Sequence, residues 1–441
     1  MNAIVRPAPR VAGTITVPGD KSISHRAVLL GAVATGITEV HGLLEGADCL
    51  GTLAAVTALG VEATRKAPGH YLIQGVGLNG LTEPEGVLDC GNSGTTVRLL
   101  LGLLAGQPFA AMLTGDDSLR RRPMGRVVEP LSRMGARVIG RSGGRRLPLA
   151  IAGTRPLIPI RHVSAVASAQ VKSAILLAGL WASGPVTVLE PAASRDHTER
   201  MLAGFGAEVV VDGMNGHAVT LTPGPPLQGR PLRVPGDISS AAFFLVAALL
   251  AREGAVTIGG VGVNPTRTGI LDVLRAMGAD LTVSGGSAEG EPMADLTVRS
   301  RRLAGTAIGG AVVPRTIDEL PILAVAAACA EGTTELRDAA ELRVKESDRI
   351  RALASELSKM GVGIEERPDG FRIMGRAGRP IRGARVSSGG DHRLAMALIV
   401  AGLSADGPTV VEGIDCIATS YPDFVPTCRR LAGEACIEVT A

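Results

Sequence analysis

The tetrapeptide Val-Pro-Gly-Asp occurs twice in the chain, and only one copy is followed by residues that could bind an anion. The first copy, residues 17–20, leads into Lys21, Ser22 and Arg26 and then into an apolar run, whereas the second copy, residues 234–237, leads into uncharged residues. Unpaired N–H groups and the macrodipole make a helix start attractive to anions. The first copy therefore predicts a phosphate or carboxylate site at a helix start. A capped helix with solvated charges is the competing interpretation.

Several other polar segments precede apolar runs with helical spacing. They are residues 89–98 with a glycine-rich turn, 114–124 with three consecutive arginines, 168–170, 194–197, Asp318, 341–349 and 391–393. A helix over 341–349 would place Lys345 and Arg349 on one face, with Glu346 beside them. Each segment alone could be an ordinary turn or a solvated charge run. Their recurrence at the starts of buried helices favours one shared polyanion site.

Lysine is rare in this chain compared with arginine. The 45 basic residues include only five lysines, which are Lys21, Lys66, Lys172, Lys345 and Lys359. A lysine kept against such a bias indicates a need for a compact ammonium group. Lys21 and Lys345 lie in the two most polar motifs, which favours a chemical role for both.

A second recurrence spans the whole chain. An apolar residue, a glycine and a strand-like run recur at Gly60, Gly135, Gly206, Gly278, Gly361 and, in degenerate form, Gly433, with gaps of 75, 71, 72, 83 and 72 residues. Each glycine follows a helical pattern, so we predict that it ends a helix in a left-handed conformation. Six repeats of this size indicate six α/β modules.

The repeats and the duplicated tetrapeptide together predict two domains of three modules each. Domain I comprises residues 1–19 and 238–441, with an N-terminal strand and modules four to six. Domain II comprises residues 20–237, with modules one to three. We expect a hinge near residues 13–20 and 232–240.

Composition excludes several classes of protein. A net charge of +3 and 2% aromatic residues argue against a nucleic-acid partner or an anionic membrane. The six cysteines form no C-x-x-C pair, the histidines are scattered, and we expect neither a metal nor another cofactor. Residues 1–10 lack the apolar core of a secretory signal, and no apolar run reaches the ~18 residues of a membrane span. We expect a cytoplasmic monomer.

These motifs together resemble the 5-enolpyruvylshikimate-3-phosphate synthase family over essentially the whole chain. The matching segments are 19–22, 92–95, 122–124, 168–170, 343–349 and 391–393. The resemblance implies the α/β enolpyruvyl-transferase fold, with two domains of three β-α-β-α-β-β modules that close over substrate. It also implies transfer of the enolpyruvyl group of phosphoenolpyruvate to the 5-hydroxyl of shikimate 3-phosphate, in aromatic amino-acid biosynthesis.

The resemblance also implies roles for individual residues. Those matching the shikimate 3-phosphate site are Lys21, Ser22, Arg26, Ser168, Ala169, Gln170, Arg195, Asp318 and Lys345. Those matching the phosphoenolpyruvate site are Lys21, Gly94, Arg122, Gln170, Arg349 and Arg393. Lys21, Asp318 and Glu346 match the groups that transfer protons. The neighbouring cations favour the ionised form of Glu346, which weakens its case as an acid.

The chain departs from the family pattern at two positions and keeps it at a third. Ala418 stands where many relatives carry a lysine before a Ser/Thr-aromatic-Pro turn, and Leu99 stands where many carry a proline. Gly94 is kept where certain glyphosate-tolerant members have alanine. We therefore expect glyphosate to compete with phosphoenolpyruvate.

Three alternatives fit the pattern less well. A transferase acting on UDP-N-acetylglucosamine typically has a catalytic cysteine in a mobile loop, and residues 117–122 contain none. An RNA-end-processing protein would show a basic stripe or a nucleotide-linked histidine. A catalytically dead binding module would not be expected to keep Lys21, Asp318, Glu346 and Arg393 together.

Overall fold

The computed structural model describes residues 1–212, 217–287 and 290–440. Its internal contacts divide the chain into two units. Unit 1 comprises Met1–Pro18 and Pro235–Ala441, and unit 2 comprises Gly19–Val234. Each unit is built around its own cluster of buried aliphatic side chains.

The elements alternate between strands and helices along the chain. The chain begins with β1 (Asn2–Val5) and β2 (Arg10–Thr16). Unit 2 then contains α1 (Lys21–Val33), β3 (Thr35–His41), α2 (Ala47–Ala58), β4 (Glu62–Ala67), β5 (His70–Val76), β6 (Leu88–Asp89), α3 (Gly94–Ala105), β7 (Ala110–Thr114), α4 (Asp117–Arg121), α5 (Gly125–Arg133), β8 (Arg137–Gly140), α6 (Arg141–Gly144), β9 (Arg146–Ala152), β10 (Arg161–Val163), α7 (Ala169–Gly179), β11 (Val186–Leu189), α8 (His197–Gly204), β12 (Glu208–Val211), β13 (Ala218–Thr222) and β14 (Pro231–Arg233).

Unit 1 continues after the second Val-Pro-Gly-Asp. It contains α9 (Ile238–Leu250), β15 (Glu253–Gly262), α10 (Gly269–Ala276), β16 (Asp280–Ser287), β17 (Met293–Arg299), β18 (Ala307–Ile308), α11 (Val312–Thr316), α12 (Leu320–Cys329), β19 (Thr333–Leu336), α13 (Arg349–Lys359), β20 (Gly363–Arg367), β21 (Gly370–Met374), β22 (Arg385–Ser387), α14 (His392–Leu403), β23 (Thr409–Glu412), α15 (Phe424–Ala432) and β24 (Ile437–Thr440). Short 3₁₀ helices lie at Ala340–Val344, Ile414–Thr419 and Glu434–Cys436.

Six four-stranded sheets share one topology, and this confirms the predicted fold class. In the sheet β6-β7-β9-β8, the first two strands are parallel and the remaining neighbours are antiparallel. The sheet β10-β11-β13-β12 repeats this order. With their helices, these sheets give the predicted β-α-β-α-β-β module.

Three modules obtain a strand from a distant part of the chain. The sheet β14-β3-β5-β4 receives its leading strand from the end of unit 2, and β16-β17-β15-β2 receives β2 from the start of the chain. The sheet β22-β23-β1-β24 receives β1 from the start of the chain, between β23 and β24, whereas β18-β19-β21-β20 is continuous in sequence.

Each Val-Pro-Gly-Asp is a point where the chain passes from one unit to the other. The first joins β2 of unit 1 to α1 of unit 2, and the second joins β14 of unit 2 to α9 of unit 1. Both final aspartates cap the helix that follows. Asp20 accepts from the N–H of Ile23 at 3.0 Å, and Asp237 accepts from the N–H of Ser239 at 2.8 Å. The repeated sequence therefore encodes two equivalent helix starts.

The six recurring glycines all have positive φ, as predicted, between +74° and +109°. The first five follow the last turn of a helix, where φ > 0 suits glycine best. The degenerate sixth copy differs in its position and its backbone angles. Gly433 directly follows the last residue of α15, and its ψ of 145° is not that of a left-handed helical residue.

Three helices in each unit are buried almost all round, which explains their apolar sequences. They are α1, α3 and α7 in unit 2, and α9, α12 and α14 in unit 1. Among the described residues, no helix has the length and hydropathy that crossing a membrane would need.

The prediction of a helix over residues 341–349 is wrong. Residues 340–344 form a 3₁₀ helix, Lys345 has extended backbone angles, and α13 begins only at Arg349. Asp348 caps α13 by accepting from the N–H of Arg351 at 3.1 Å. This cap competes with a continuous helix, since a capping residue has non-helical backbone angles.

Candidate functional site

Most predicted residues of unit 2 lie at the starts of its buried helices; the exceptions are Arg26, in the second turn of α1, Arg122, which follows α4, and Arg195. Lys21 is the first residue of α1, Gly94 is the first of α3, and Ser168 caps α7 by accepting from the N–H of Val171 at 3.5 Å. Gln170 lies in the first turn of α7, and Arg195 lies in the loop before α8. Helix starts carry unpaired N–H groups, so this arrangement suits anions.

Gln170 joins the starts of α3 and α7. Its side-chain oxygen accepts from Nη1 of Arg98 at 2.7 Å, and its amide nitrogen donates to the hydroxyl of Thr95 at 2.9 Å. The two bonds fix which way the Gln170 amide faces. Arg98 also donates to the carbonyl of Gly94 at 3.2 Å, which brings a guanidinium to the first residue of α3.

Two guanidinium groups lie over Gly94. A Cβ added at Gly94 would be 2.6 Å from Nη1 of Arg98 and 3.1 Å from Nη1 of Arg122. Nη2 of Arg122 donates to the side-chain oxygen of Asn92 at 2.8 Å, and Asn92 donates to Asp116 at 2.6 Å. The absence of a side chain at position 94 thus leaves room for two cations beside a helix start, an arrangement suited to a phosphate or carboxylate.

Lys21 contacts a carboxylate on the neighbouring helix. Its Nζ lies 3.1 Å from Oδ2 of Asp48 in the first turn of α2, and both side chains are partly accessible. The contact links the start of α1 to the start of α2.

Arg26 is buried between helices. It donates through Nε to Thr198 at 2.7 Å, through Nη2 to Ser173 at 2.7 Å and through Nη1 to the carbonyl of Ser22 at 2.8 Å. These oxygens are all neutral, and they belong to α1, α7 and α8. Arg26 therefore holds three helices together.

In unit 1, Arg349 is the centre of a buried charge network. It donates to Asp391 through Nε at 2.8 Å and through Nη2 at 3.3 Å, and to Glu346 through Nη2 at 2.7 Å. Burial alone would lower the pKa of Arg349, but Asp391 and Glu346 outweigh burial and raise it. Burial likewise acts to raise the pKa of Asp391, yet Arg349 outweighs it and lowers that pKa.

Asp318, just before α12, is approached by two arginines. Its Oδ1 lies 3.4 Å from Nη1 of Arg349 and 3.8 Å from Nε of Arg393, whose Nη1 also donates to the Asp318 carbonyl at 3.1 Å. Desolvation and, more weakly, the charge of Arg349 lower the pKa of Lys345, while Asp318 opposes them. Arg349, Arg393 and Lys345 therefore all interact with the carboxylate of Asp318.

Sequence reasoning assigned no role to Arg98 or Asp48, although both contact predicted residues. Arg98 lies four residues after Gly94, a spacing that places it one helical turn away. Asp48 had a weaker signal, since it is an acid in the first turn of a helix and its contact with Lys21 is not local in sequence.

The structure also brings together a group that could hold a metal ion. Glu39, His41 and His70 place one ligand atom each within 4.8 Å of one another on neighbouring strands β3 and β5. The two imidazole rings stack at 4.2 Å, and both contact Oε1 of Glu39. These contacts account for the group without an ion.

The fold is that of the enolpyruvyl transferases. The enolpyruvyl transferase NikO from Streptomyces tendae superimposes with a TM-score of 0.80 over 100% of this chain and 98% of that protein, at 19% identity.

Closer comparisons identify the family. The model of the EPSP synthase (3-phosphoshikimate 1-carboxyvinyltransferase) family matches residues 5–428, and the chain belongs to this family. It is 56% identical to a 3-phosphoshikimate 1-carboxyvinyltransferase of Synechococcus sp. (strain JA-3-3Ab), over 96% of this chain and 95% of that protein. An EPSP synthase structure from Acinetobacter baumannii gives a TM-score of 0.89 at 45% identity, covering 100% of both chains.

Proposed function

We propose that this chain is a transferase that moves the carboxyvinyl group of phosphoenolpyruvate to the 5-hydroxyl of shikimate 3-phosphate and releases phosphate. The observation that carries the proposal is the family match over residues 5–428, which includes every polar helix start described above. The reaction belongs to aromatic amino-acid biosynthesis.

For shikimate 3-phosphate, we propose contacts with the nine residues that matched the family's site. They are Lys21, Ser22, Arg26, Ser168, Ala169, Gln170, Arg195, Asp318 and Lys345. The partly accessible ammonium of Lys21 and the helix starts of α1 and α7 support this assignment, since a phosphate needs both charge and N–H donors. Arg26 is already bonded to three helices, so its contribution would combine charge with support of α1.

For phosphoenolpyruvate, we propose Lys21, Gly94, Arg122, Gln170, Arg349 and Arg393. The two guanidinium groups over Gly94 and the two arginines beside Asp318 support this assignment. The two substrates carry two phosphates and two carboxylates, so cations held in advance by the fold would offset their mutual repulsion.

The charged partners of Lys21 and Glu346 suggest how protons move. Asp318 would accept the proton of the 5-hydroxyl group while the oxygen of that hydroxyl forms a bond to C2 of phosphoenolpyruvate. The ammonium group of Lys21, which lies beside Asp48, would donate a proton to C3. Glu346, whose carboxylate lies 2.7 Å from Arg349, would remove a proton from the new methyl group as phosphate leaves.

The remaining features of the proposal concern organisation. We propose domains I and II with the boundaries expected from the sequence, and the two Val-Pro-Gly-Asp crossings as the hinge. We also propose a cytoplasmic monomer that binds neither nucleic acid nor a membrane, since a net charge of only +3 gives little attraction for an anionic partner.

The test is phosphate release from phosphoenolpyruvate with purified protein and three acceptor conditions. We expect release with shikimate 3-phosphate, and none with UDP-N-acetylglucosamine or without acceptor. Release that is independent of shikimate 3-phosphate, or that requires the nucleotide sugar, would overturn the proposal.

A further inference from the structure

Lys172, one of the five lysines, is buried in α7 and is used by no step of the proposed reaction. It is 2% exposed, and its Nζ lies 2.9 Å from Oε2 of Glu190 and 2.7 Å from Oε1 of Glu199. One cation and two carboxylates are thus enclosed together. Burying these charges costs desolvation energy, so we expect this cluster to have a role in the site.

Glu190 links two segments through its two carboxylate oxygens. Oε1 accepts from the backbone N–H of Ser168 at 2.7 Å, and Oε2 accepts from the hydroxyl of Ser194 at 2.6 Å. Ser168 begins the segment Ser168–Gln170, and Ser194 precedes Arg195. Both segments belong to the proposed shikimate 3-phosphate site, and one buried carboxylate therefore spans them.

The network holds Glu190 in place from several sides. Glu190 directly follows β11, and its own N–H donates to the carbonyl of His217 at 2.8 Å. Burial opposes the charge on Lys172, but Glu199 and Glu190 outweigh burial and raise the pKa of Lys172, so the ammonium stays protonated. Burial raises the pKa of Glu199. The charge that balances Glu190 is thus kept at neutral pH.

We propose that Glu190 is a positioning residue for shikimate 3-phosphate, which sets the placement of Ser168 relative to Arg195, and that Lys172 balances its charge. The inference rests on the proposed function. Gln170 is fixed separately by Arg98 and Thr95 on α3, so phosphoenolpyruvate binding depends little on Glu190.

The decisive variant is Glu190→Gln. An amide has one acceptor oxygen, so in either orientation it loses the bond to Ser168 or the bonds to Ser194 and Lys172. We expect the KM for shikimate 3-phosphate to rise tenfold or more, while the KM for phosphoenolpyruvate changes less than threefold. A purely structural role would lower the melting temperature and the amount of active protein without separating the two KM values.

Glu199→Gln is the matched control. It makes the same change beside Lys172, and among the described residues no hydrogen bond joins Glu199 to Ser168 or Ser194. We expect both KM values to stay within threefold of the wild type. Ser194→Ala is a milder test if Glu190→Gln fails to fold, and should raise the KM for shikimate 3-phosphate by about threefold.

Three outcomes would overturn the inference. Glu190→Gln could change both KM values equally, it could have the same effect as Glu199→Gln, or it could leave the kinetics unchanged. If Glu190→Gln fails to fold, unchanged kinetics in Ser194→Ala would do the same. A wild-type protein without shikimate 3-phosphate-dependent phosphate release would instead overturn the proposed function, before any variant is compared.

Discussion

Arg349 binds Asp391 through two nitrogens, at 2.8 and 3.3 Å, and both side chains are almost completely buried. Asp391 is also the N-cap of α14, where it accepts from the N–H of Arg393 at 2.9 Å. A single carboxylate therefore orients one proposed phosphoenolpyruvate arginine and begins the helix that carries another.

Replacing Arg349 by lysine should weaken phosphoenolpyruvate binding although the charge is kept. One ammonium group cannot reproduce the planar fork that serves Asp391, Glu346 and Asp318 together. We expect Arg349→Lys to raise the KM for phosphoenolpyruvate tenfold or more in steady-state assays, about 1.4 kcal/mol. Arg351→Lys, an exposed change on the same helix, is the control, and similar KM values in the two variants would contradict the assigned role.

A methyl group at Gly94 should displace the two guanidinium groups above it. Its Cβ would lie 2.6 Å from Arg98 and 3.1 Å from Arg122, and both contacts are with the ends of long side chains that can shift without moving the backbone. We expect Gly94→Ala to fold normally but to raise the KM for phosphoenolpyruvate about tenfold. Gly51→Ala places a methyl group in open space on α2 and should leave that KM unchanged. An unaltered KM for phosphoenolpyruvate in Gly94→Ala would show that Gly94 does not contribute to the binding of this substrate.

Arg267 should be essential for the stability of unit 1. It lies 3.3 Å from Asp237 and 3.5 Å from Glu319, and it donates to Ser239 at 2.8 Å, in a buried cluster at the starts of α9 and α12. Arg267→Met leaves two carboxylates without their cation, which should cost about 3–5 kcal/mol. Faster amide hydrogen exchange in α9 and α12 would report this loss.

The control for Arg267 is Arg385→Met, which removes an exposed ion pair with Glu412. This substitution should change the free energy of unfolding by no more than about 0.5 kcal/mol. Exchange rates in α9 and α12 that do not distinguish the two variants would refute the importance of the buried cluster.

The protein should lose stability in mild acid because of His25. Burial, followed by the charges of Lys21 and Arg26, lowers the pKa of His25 to about 3. The unfolded chain therefore binds a proton below pH ~6.5 that the folded chain does not, so stability is full above this pH and falls as the pH drops towards 3. Between pH 6.5 and 5 the free energy of unfolding should fall by about 1.6 kcal/mol.

Urea unfolding at several pH values measures this slope. His25→Gln keeps a partner for Thr52, which His25 contacts at 2.7 Å, and should flatten the slope. His41→Gln removes an exposed imidazole and should not. An equally steep slope in His25→Gln would assign the acid sensitivity to other groups.

Local features of the fold could be predicted from the sequence because they depend on neighbouring residues. Asp20 and Asp237 cap helices as their Pro-Gly-Asp context indicates, and the recurring glycines follow helices as their spacing predicts. The prediction of a helix over residues 341–349 was wrong for an equally local reason, because Asp348 caps α13, which begins only at Arg349.

The sequence pattern could not predict which distant segments pair with one another. Nothing near β14 shows that it pairs with β3, about 190 residues earlier, rather than with the strand that follows α9. The carboxylates that hold Lys172 lie 18 and 27 residues away, and only folding brings them to it. Residue types thus indicated where the polar helix starts are, and three-dimensional contacts were needed to show what orients them.

The most direct test of the account follows the bridging oxygen of phosphoenolpyruvate. Attack of the 5-hydroxyl at C2 and loss of phosphate from the adduct break the bond between carbon and this oxygen. With ¹⁸O at the bridging position and shikimate 3-phosphate present, we predict that mass spectrometry finds the label in the released phosphate and none in the carboxyvinyl product. Label in pyruvate, which marks cleavage between phosphorus and oxygen, would contradict carboxyvinyl transfer by this protein.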